Sequence, residues 1–284
     1  MDNSWAWDPT LFAGTAKYYV KGRITYAPQT AERLAAVLEL NGSGRLLDVG
    51  TGPGDVALAL APYFDEVIGV DPDPEMLAQA RSRARALGAN NVQWLELRSE
   101  DLSPDLGSFR VAAFGQSFHW MDRELVAGVV YELLEPGGYF VHLNAQDGDA
   151  PADVEPGGRR VPFDDIAALV RRYLGPVRRA GQGRLPQGTP DDEAAVLAAA
   201  GFAGETEIAL PGGELMQRSV DDVVAWVFSR SGSAPHLFGD GVDQFERELR
   251  QLLSATSLDG MFVDPRPDTI VRVWQKPGGQ SITS

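Results

Sequence analysis

Apolar and polar residues alternate with two different periods between positions 27 and 144. Short apolar runs bounded by glycine or acidic residues have the length of buried strands, and they lie at 45–49, 66–70, 92–96, 110–115 and 138–144. Between them, apolar residues recur at helical spacing over 30–40, 55–62, 74–87 and 123–134. This order predicts an α/β domain in which helices cover a mainly parallel sheet.

The second half of the chain is less regular. A segment rich in Gly, Pro and Asp at 147–160 predicts a surface loop or flap. Further patterns predict helices at 163–174, 190–200, 220–230 and 242–255, and strands at 205–210 and 269–275. We therefore expect four regions: an aromatic N-terminal lid segment at 1–26, a core at 27–146, the remainder of the same domain at 147–277 with closing strands and lid helices, and a tail at 278–284.

Composition and charge narrow the possible functions. The 284 residues are 44% hydrophobic and 23% charged, which is typical of a globular domain. A net charge of −15 repels nucleic acid and anionic membranes, and no signal peptide or membrane-spanning run is predicted. The absence of cysteine fits a reducing cytoplasm, and the three histidines lack the spacing of a metal site. Whether the chain forms a homo-oligomer is left open by the sequence.

The segment LLDVGTGPGDVALALA at 46–61 predicts a strand, a glycine loop and a helix. Glycines at 50, 52 and 54 let the backbone turn sharply and approach a ligand closely. A dinucleotide loop would have its third glycine where Asp55 stands, and a phosphate-binding loop would need a lysine. Asp48 and Asp55 instead favour a ligand that carries an ammonium and a sulfonium.

Polar side chains also follow the next three predicted strands. Asp71 comes 71 − 50 = 21 residues after Gly50, close to the spacing of about 20 expected for an acid that binds ribose hydroxyls. Ser99 to Leu102 follow the third strand, and Gln116 to Trp120 follow the fourth. Ligands of open α/β sheets bind at this edge, so these groups predict one binding site.

With these motifs the chain resembles the class I S-adenosylmethionine-dependent methyltransferases. It is most similar to their small-molecule, type 11-like group, in which an aromatic-His-Trp element follows the fourth strand, here Phe118 to Asp122. The resemblance covers about residues 26–144. It implies a Rossmann-like, seven-stranded mixed sheet with a reversed final strand and helical lid insertions, and S-adenosyl-L-methionine as the cofactor.

The resemblance also implies roles for individual residues. Asp48, Gly50, Thr51 and Gly52 would hold the methionine part of the cofactor, with Gln116 beneath it. Asp71 would bind both ribose hydroxyls. The adenine would lie against the remaining positions, which are Pro72, Met76, Glu100, Asp101 and Leu102.

Several positions have a second interpretation. The glycine loop could be a tight turn without a ligand, Asp71 could cap the next helix, and Glu100 and Asp101 could be solvated turn residues. His119 could take a proton from a hydroxyl acceptor or only orient its loop. Residues of the predicted substrate lid could equally serve packing or lie at the surface, and these are Tyr18, Tyr19 and His236.

The predicted function is methylation of a small molecule, with O-methylation of a carboxylate or a phenolic hydroxyl favoured. N- and C-methylation and the identity of the acceptor stay open. Abundant Ala, Arg and Gly together with the resemblance suggest a bacterial enzyme of specialised (secondary) metabolism. The alternatives are a protein that binds the cofactor but catalyses a reaction such as a cyclisation, and a non-catalytic binding module.

Overall fold

The computed structural model of the protein describes residues 8–145, 158–176 and 192–278. Contacts divide the chain into two compact units. The described part of the first unit, the sheet unit, comprises 26–145, 192–210 and 269–278. The described part of the second, the helical unit, comprises 8–25, 158–176 and 211–268.

Strands and helices are numbered along the chain. The strands are β1 Arg45–Val49, β2 Glu66–Asp71, β3 Val92–Glu96, β4 Phe109–Gly115, β5 Leu134–Ala145, β6 Ala203–Leu210, β7 Leu215–Ser219, β8 Met261–Pro265 and β9 Thr269–Gln275. The α-helices are α1 Ala16–Gly22, α2 Thr30–Val37, α3 Asp55–Leu60, α4 Pro74–Leu87, α5 Arg123–Leu133, α6 Phe163–Leu174, α7 Glu193–Ala199, α8 Val220–Phe228 and α9 Val242–Thr256. Each predicted strand and helix is present, with ends shifted by a few residues.

The sheet unit is built on a seven-stranded mixed sheet with the order β3-β2-β1-β4-β5-β9-β6. Neighbours from β3 to β5 pair in parallel, whereas β9 is antiparallel to both β5 and β6. This arrangement confirms the predicted Rossmann-like fold and the closing pair of strands. Because β1 and β4 are central and parallel, their carboxyl ends meet at one edge of the sheet.

Successive residues of β1 contribute to different apolar clusters, as the alternation of side chains in a strand requires. Leu47 belongs to the cluster that includes α5 and α7, and Leu46 belongs to the cluster that includes α2 and α3. Both leucines are fully buried. Burial on both faces explains why β1 appears in the sequence as a continuous apolar run.

The helical unit contains α1, α6, α8 and α9 together with β7 and β8, which form a two-stranded antiparallel sheet. Its apolar cluster includes Phe228, Phe238, Phe245 and Phe262. The β7–β8 pair is absent from the sequence prediction because each of its strands places a charged side chain inward. Arg218 of β7 and Asp264 of β8 are buried and lie 3.4 Å apart, so the apolar alternation that indicates a strand is missing.

Some predictions fall on positions outside the described ranges. These are most of the loop at 147–160, the first seven residues of the predicted N-terminal lid segment, and the tail after residue 278. The predicted region boundaries at 26, 146 and 277 stay predictions. Over the described ranges, no helix has both the length and the apolar character that crossing a membrane requires.

Candidate functional site: a glycine cradle at the carboxyl edge of the sheet

The loop between β1 and α3 is held against the end of β2. The backbone N–H groups of Gly50 and Thr51 both donate to the carbonyl oxygen of Val70, at 2.9 Å each. Gly50, Gly52 and Gly54 have φ angles of 68°, 52° and 84°, in the left-handed region that glycine adopts without a Cβ clash. The sequence therefore needs glycine at all three positions for conformational reasons.

The three glycines differ in what surrounds them. A Cβ on Gly50 would lie 2.6 Å from Cβ of Ser117, and one on Gly54 would lie 2.6 Å from the ring of Trp94. A Cβ on Gly52 would meet nothing within 4 Å. Gly50 and Gly54 thus permit close packing behind the loop, while Gly52 borders open space in which a ligand can approach the backbone.

Asp48 lies near the end of β1, two residues before Gly50, and has 1% of its surface exposed. Its Oδ2 accepts hydrogen bonds from Oγ1 of Thr51 at 2.6 Å and from the backbone N–H of Ala57 at 3.0 Å. Its Oδ1 is buried and has no hydrogen-bond partner. Burial raises the pKa of Asp48 to about 7, so the group is poised to ionise when a cation arrives.

Asp71, at the end of β2, faces the same loop. Its Oδ2 accepts from the N–H of Gly52 at 2.8 Å, and its Oδ1 accepts from the N–H of Asp73 at 2.9 Å. Burial raises the pKa of Asp71 to about 6. The alternative role as a helix cap is wrong, because Asp73 caps α4 by accepting from the N–H groups of Glu75 and Met76.

The cradle consists of the loop at residues 50–54 and the acids that face it. The sequence predicted that Asp55 would contribute negative charge to this cradle, but the structure does not support this. Asp55 begins α3 and forms an ion pair with Arg83 of α4, with 2.7 Å between Oδ1 and Nη1. The same Nη1 donates to the carbonyl oxygen of Pro53 at 2.8 Å. Arg83 therefore neutralises this carboxylate and fixes the loop against α4, which leaves Asp48 and Asp71 as the acids of the cradle.

The two acids after β3 have different surroundings. The Glu100 side chain is 7% exposed and pairs with Arg98 at 3.3 Å, and its Oε1 accepts from the N–H of Asp122 at 3.1 Å. Glu100 thus links this turn to the start of α5. Asp101 is exposed, and Leu102 beside it is buried. On the α4 side, Pro72 is half-buried and Met76 is 3% exposed.

The turn after β4 contains the remaining predicted residues. Gln116 has a φ of 51°, a conformation that is uncommon for a residue with a side chain, and its N–H donates to the carbonyl oxygen of Leu143 at 2.9 Å. Ser117 Oγ donates to the carbonyl oxygen of Val49 at 2.6 Å. His119 lies in the following 3-10 turn, half-buried, with its ring centroid 4.6 Å from that of Trp120.

The three predicted lid residues belong to the helical unit. Tyr18 packs on Phe228 with 5.1 Å between ring centroids. Tyr19 lies under the guanidinium of Arg23, which is 5.0 Å from the ring centroid. His236 is exposed, and its Nδ1 is 3.0 Å from the carbonyl oxygen of Ala13. Their role as a substrate lid stays a prediction.

Sequence reasoning missed the residue that supports the loop from behind. Trp94 of β3 fills the space left by Gly54 and by Gly69, since a Cβ on Gly69 would lie 2.7 Å from its ring. Gly69 inside β2 was the available signal, because glycine within a strand often marks a close approach.

The arrangement fits an aminoacyl nucleoside cofactor. It offers an open approach at Gly52, an enclosed carboxyl oxygen on Asp48 without a hydrogen-bond partner, and a carboxylate on Asp71 at the edge of the sheet. Within the described residues, no cluster of three or more His, Asp and Glu side chains is arranged to hold a metal ion.

Comparisons with known proteins agree with this geometry. Residues 46–138 match a methyltransferase domain model. A demethylmenaquinone methyltransferase of Thermus thermophilus is 33% identical over 172 residues, which cover 58% of this chain and 76% of that protein. The chain belongs to the class I S-adenosylmethionine-dependent methyltransferases, whose cofactor is S-adenosyl-L-methionine.

Two further relatives are similar over shorter stretches. The uncharacterised methyltransferase YcgJ of Bacillus subtilis is 30% identical over 145 residues, covering 51% of this chain and 56% of YcgJ. Its crystal structure matches 89% of this chain and 100% of that chain, with a TM-score of 0.53 and 21% identity, and shares the fold. Methyltransferase pgmE of Aspergillus terreus is 38% identical over 94 residues, covering 32% of this chain and 28% of pgmE. The chain thus spans between about a quarter and a little over half of these two curated relatives.

Proposed function

We propose that this protein transfers a methyl group from S-adenosyl-L-methionine to an oxygen atom of a small molecule, either a carboxylate or a phenolic hydroxyl. The observation that carries the proposal is the paired arrangement of Asp48 and Asp71 around the loop. Asp71 Oδ2 is 2.8 Å from the N–H of Gly52, whose Cβ position is open. This combination suits a ligand with a cationic end and a ribose.

Each part of the cradle has a defined task in this proposal. Asp48, Gly50, Thr51 and Gly52 hold the aminoacyl end, and Gln116 lies beneath it. Asp71 accepts hydrogen bonds from the two ribose hydroxyls, which stabilise its charged form. The adenine lies against a set formed by Pro72, Met76, Asp101 and Leu102, and Glu100 fixes the turn through Arg98 and Asp122.

The bound cofactor supplies a methyl group already activated by a positive sulfur, so the protein mainly has to hold the acceptor in line with it. A carboxylate acceptor is ionised at neutral pH and needs no base, whereas a phenol is not. His119 lies at this sheet edge, and its imidazole can accept a phenolic proton. Its contribution therefore depends on the acceptor.

Calorimetric titration with S-adenosyl-L-methionine and S-adenosylhomocysteine tests the cofactor half of the proposal. Saturable binding of both at one site is expected, and the absence of heat and of any thermal shift would contradict it. A panel of small carboxylic acids and phenols, incubated with methyl-labelled cofactor, then tests the transfer. Nuclear magnetic resonance of the product distinguishes an O-methyl from an N- or C-methyl group.

Turnover of a substrate without release of S-adenosylhomocysteine would instead support a cofactor-assisted reaction such as a cyclisation. Cofactor binding with no turnover across the panel would favour a binding module. The acidic surface implied by the net charge of −15 argues against nucleic acid and anionic membrane partners.

A prediction about His119 separates the two acceptor classes. We expect His119→Gln to lower kcat for a phenol by roughly 100-fold or more, because general-base assistance is lost, and to change kcat for a carboxylate only a few-fold. Steady-state kinetics on one substrate of each class is the measurement. Equal losses for both acceptors would assign His119 a structural role in its turn.

A further inference from the structure

Tyr26 is fixed at the carboxyl edge of the sheet by its neighbour. The N–H of Ala27 donates to Oγ1 of Thr269 at 2.8 Å, and the carbonyl oxygen of Ala27 accepts from Oγ1 of Thr30 at 2.7 Å. All three residues are buried. Thr269 is paired with Ala145 at the last position of β5, so the chain at Tyr26 passes over the ends of the parallel strands.

The hydroxyl of Tyr26 reaches the end of β4. A Cβ on Gly115 would lie 2.9 Å from Oη of Tyr26 and 2.7 Å from Cγ2 of Val56. Glycine at position 115 is therefore what allows the phenol and the first turn of α3 to meet over the strand. The tyrosine ring is partly buried against the apolar cluster that contains Val56.

This position is next to the cradle. Asp48 of β1 is opposite Ala113 of β4 in the parallel register, and both strands continue from this pair into Gly50 and Gly115. Val56 directly follows Asp55 at the start of α3, and Gln116 directly follows Gly115. The phenol hydroxyl is thus placed among the segments assigned above to the aminoacyl end of the cofactor.

We propose that Tyr26 is a binding residue for the cofactor and that its hydroxyl donates a hydrogen bond to the carboxylate of the methionyl part. The inference rests on the proposed function. A phenol is a neutral donor that suits an anionic oxygen, and the buried Oδ1 of Asp48, which has no hydrogen-bond partner, suits the neighbouring ammonium. The Tyr26 hydroxyl and the Asp48 carboxyl group would thus recognise the carboxylate and the ammonium of the α-amino acid.

The test compares wild type with Tyr26→Phe, which keeps the ring and removes the hydroxyl. Calorimetry measures Kd for S-adenosyl-L-methionine, S-adenosylhomocysteine, decarboxylated S-adenosylmethionine and 5′-methylthioadenosine. We expect the first two to bind about tenfold more weakly to the variant, the size of one hydrogen bond to a charged group. The two ligands without the carboxylate should change by less than about twofold.

Tyr139→Phe is the matched control. Tyr139 packs against the same apolar cluster, but it lies opposite Val111, six residues before the carboxyl end of β5 and away from Gly115. This variant should bind all four ligands as wild type does. Thermal melting of both variants checks that the fold is retained.

The outcomes separate the two proposals. If wild type binds none of the ligands, the proposed function fails. If wild type binds and Tyr26→Phe binds all four equally well, the assignment of Tyr26 fails alone. An equal loss for decarboxylated S-adenosylmethionine would overturn the carboxylate contact and place the hydroxyl on the ammonium, and a loss for every ligand would reduce Tyr26 to a support for the cradle.

Discussion

The carboxyl group of Asp48 occupies a setting that opposes its ionisation. The residue has 1% of its surface exposed, and burial raises its pKa to about 7 from 3.8. In the folded protein at pH 7 about half of the molecules therefore carry this proton. An unfolded chain would have lost it already near pH 4.

This difference makes stability depend on pH. A raised folded-state pKa contributes stability that is complete below pH 4 and is lost as pH rises through 7. We expect Asp48→Asn to remove up to about 4 kcal/mol of this pH-dependent free energy of unfolding. Urea denaturation of wild type and variant between pH 4 and 8 measures the free energy of unfolding at each pH. If it changes with pH in the same way for both proteins, the pKa of Asp48 is not raised.

The ionisation of Asp71 makes cofactor affinity depend on pH. Affinity is expected to fall as pH drops, whereas the stability contributed by Asp48 falls as pH rises. Its pKa is raised to about 6, and below that pH the neutral carboxyl is a poor acceptor for ribose hydroxyls. We expect the affinity for S-adenosylhomocysteine to fall as pH drops from 7 to 5. Asp71→Asn should bind about 100-fold more weakly and with a flatter pH profile, because two hydrogen bonds to a charge are weakened.

Asp65→Asn provides the control for this prediction. Asp65 directly precedes β2, at the opposite end of the strand from Asp71, and accepts from the N–H of Gly44 at 2.9 Å. Its replacement should leave cofactor affinity unchanged. A wild-type pH profile in the Asp71 variant would contradict the ribose assignment.

Which residues surround the cradle could be predicted from the sequence, but their hydrogen bonds could not. Asp48 and Asp71 are specified by local spacing from Gly50, because Asp48 lies near the end of one strand that the apolar pattern identifies and Asp71 follows the next. The bond between Glu100 and the N–H of Asp122 joins segments that are distant in sequence. The same is true of the pairing of Asp55 with Arg83, which has no local pattern.

At the level of elements, the glycine loop depends on the strand behind it. The ring of Trp94 on β3 occupies the volume that side chains at positions 54 and 69 would need. Gly69 and Trp94 are opposite each other in the β2–β3 register. The loop, β2 and β3 therefore form one packed layer.

Gly69→Ala tests this layer. The added Cβ would lie 2.7 Å from the Trp94 ring and 3.0 Å from Oγ1 of Thr51, so we expect a loss of about 1–3 kcal/mol in the free energy of unfolding and weaker cofactor binding. Combining it with Trp94→Phe should recover part of the loss. Denaturant titrations of the two single variants and the double variant give the coupling, and additive effects would contradict direct contact.

Gly128→Ala is the comparison for this substitution. Gly128 lies within α5, and a Cβ there would meet nothing within 4 Å. Replacing glycine by alanine in a helix interior should stabilise the protein by about 0.5–1 kcal/mol. Opposite signs for the two substitutions would show that contact with Trp94, and not backbone entropy, determines the loss at position 69.

At the level of elements, the strands that the sequence did not predict are those that bury charged side chains. The strands of the seven-stranded sheet are apolar on one or both faces, and their pattern identified them. Strands β7 and β8 place Arg218 and Asp264 inward, and the pair is supported by donation from Arg218 to the carbonyl oxygens of Gly22 and Asp222 at 3.3 and 3.4 Å. These partners lie in other elements, so no local rule predicts the strands.

At the scale of the whole molecule, the two units draw their residues from interleaved parts of the chain. Removing one charge of the buried Arg218–Asp264 pair should destabilise the helical unit by about 3–5 kcal/mol. We expect Asp264→Asn to speed amide hydrogen exchange in 8–25 and 211–268 while exchange in β1, β2 and β4 stays slow. Equal acceleration in both units would show that they unfold as one cooperative body.

The position of β9 between β5 and β6 has a consequence for biosynthesis. The five parallel strands and the whole cradle are encoded before residue 146, but β6 has no place in the sheet until β9 has left the ribosome. Until then β5 is a twelve-residue edge with free backbone groups, and such edges pair with other chains. A nascent or truncated chain that ends before Thr269 should therefore require chaperone protection to stay out of aggregates.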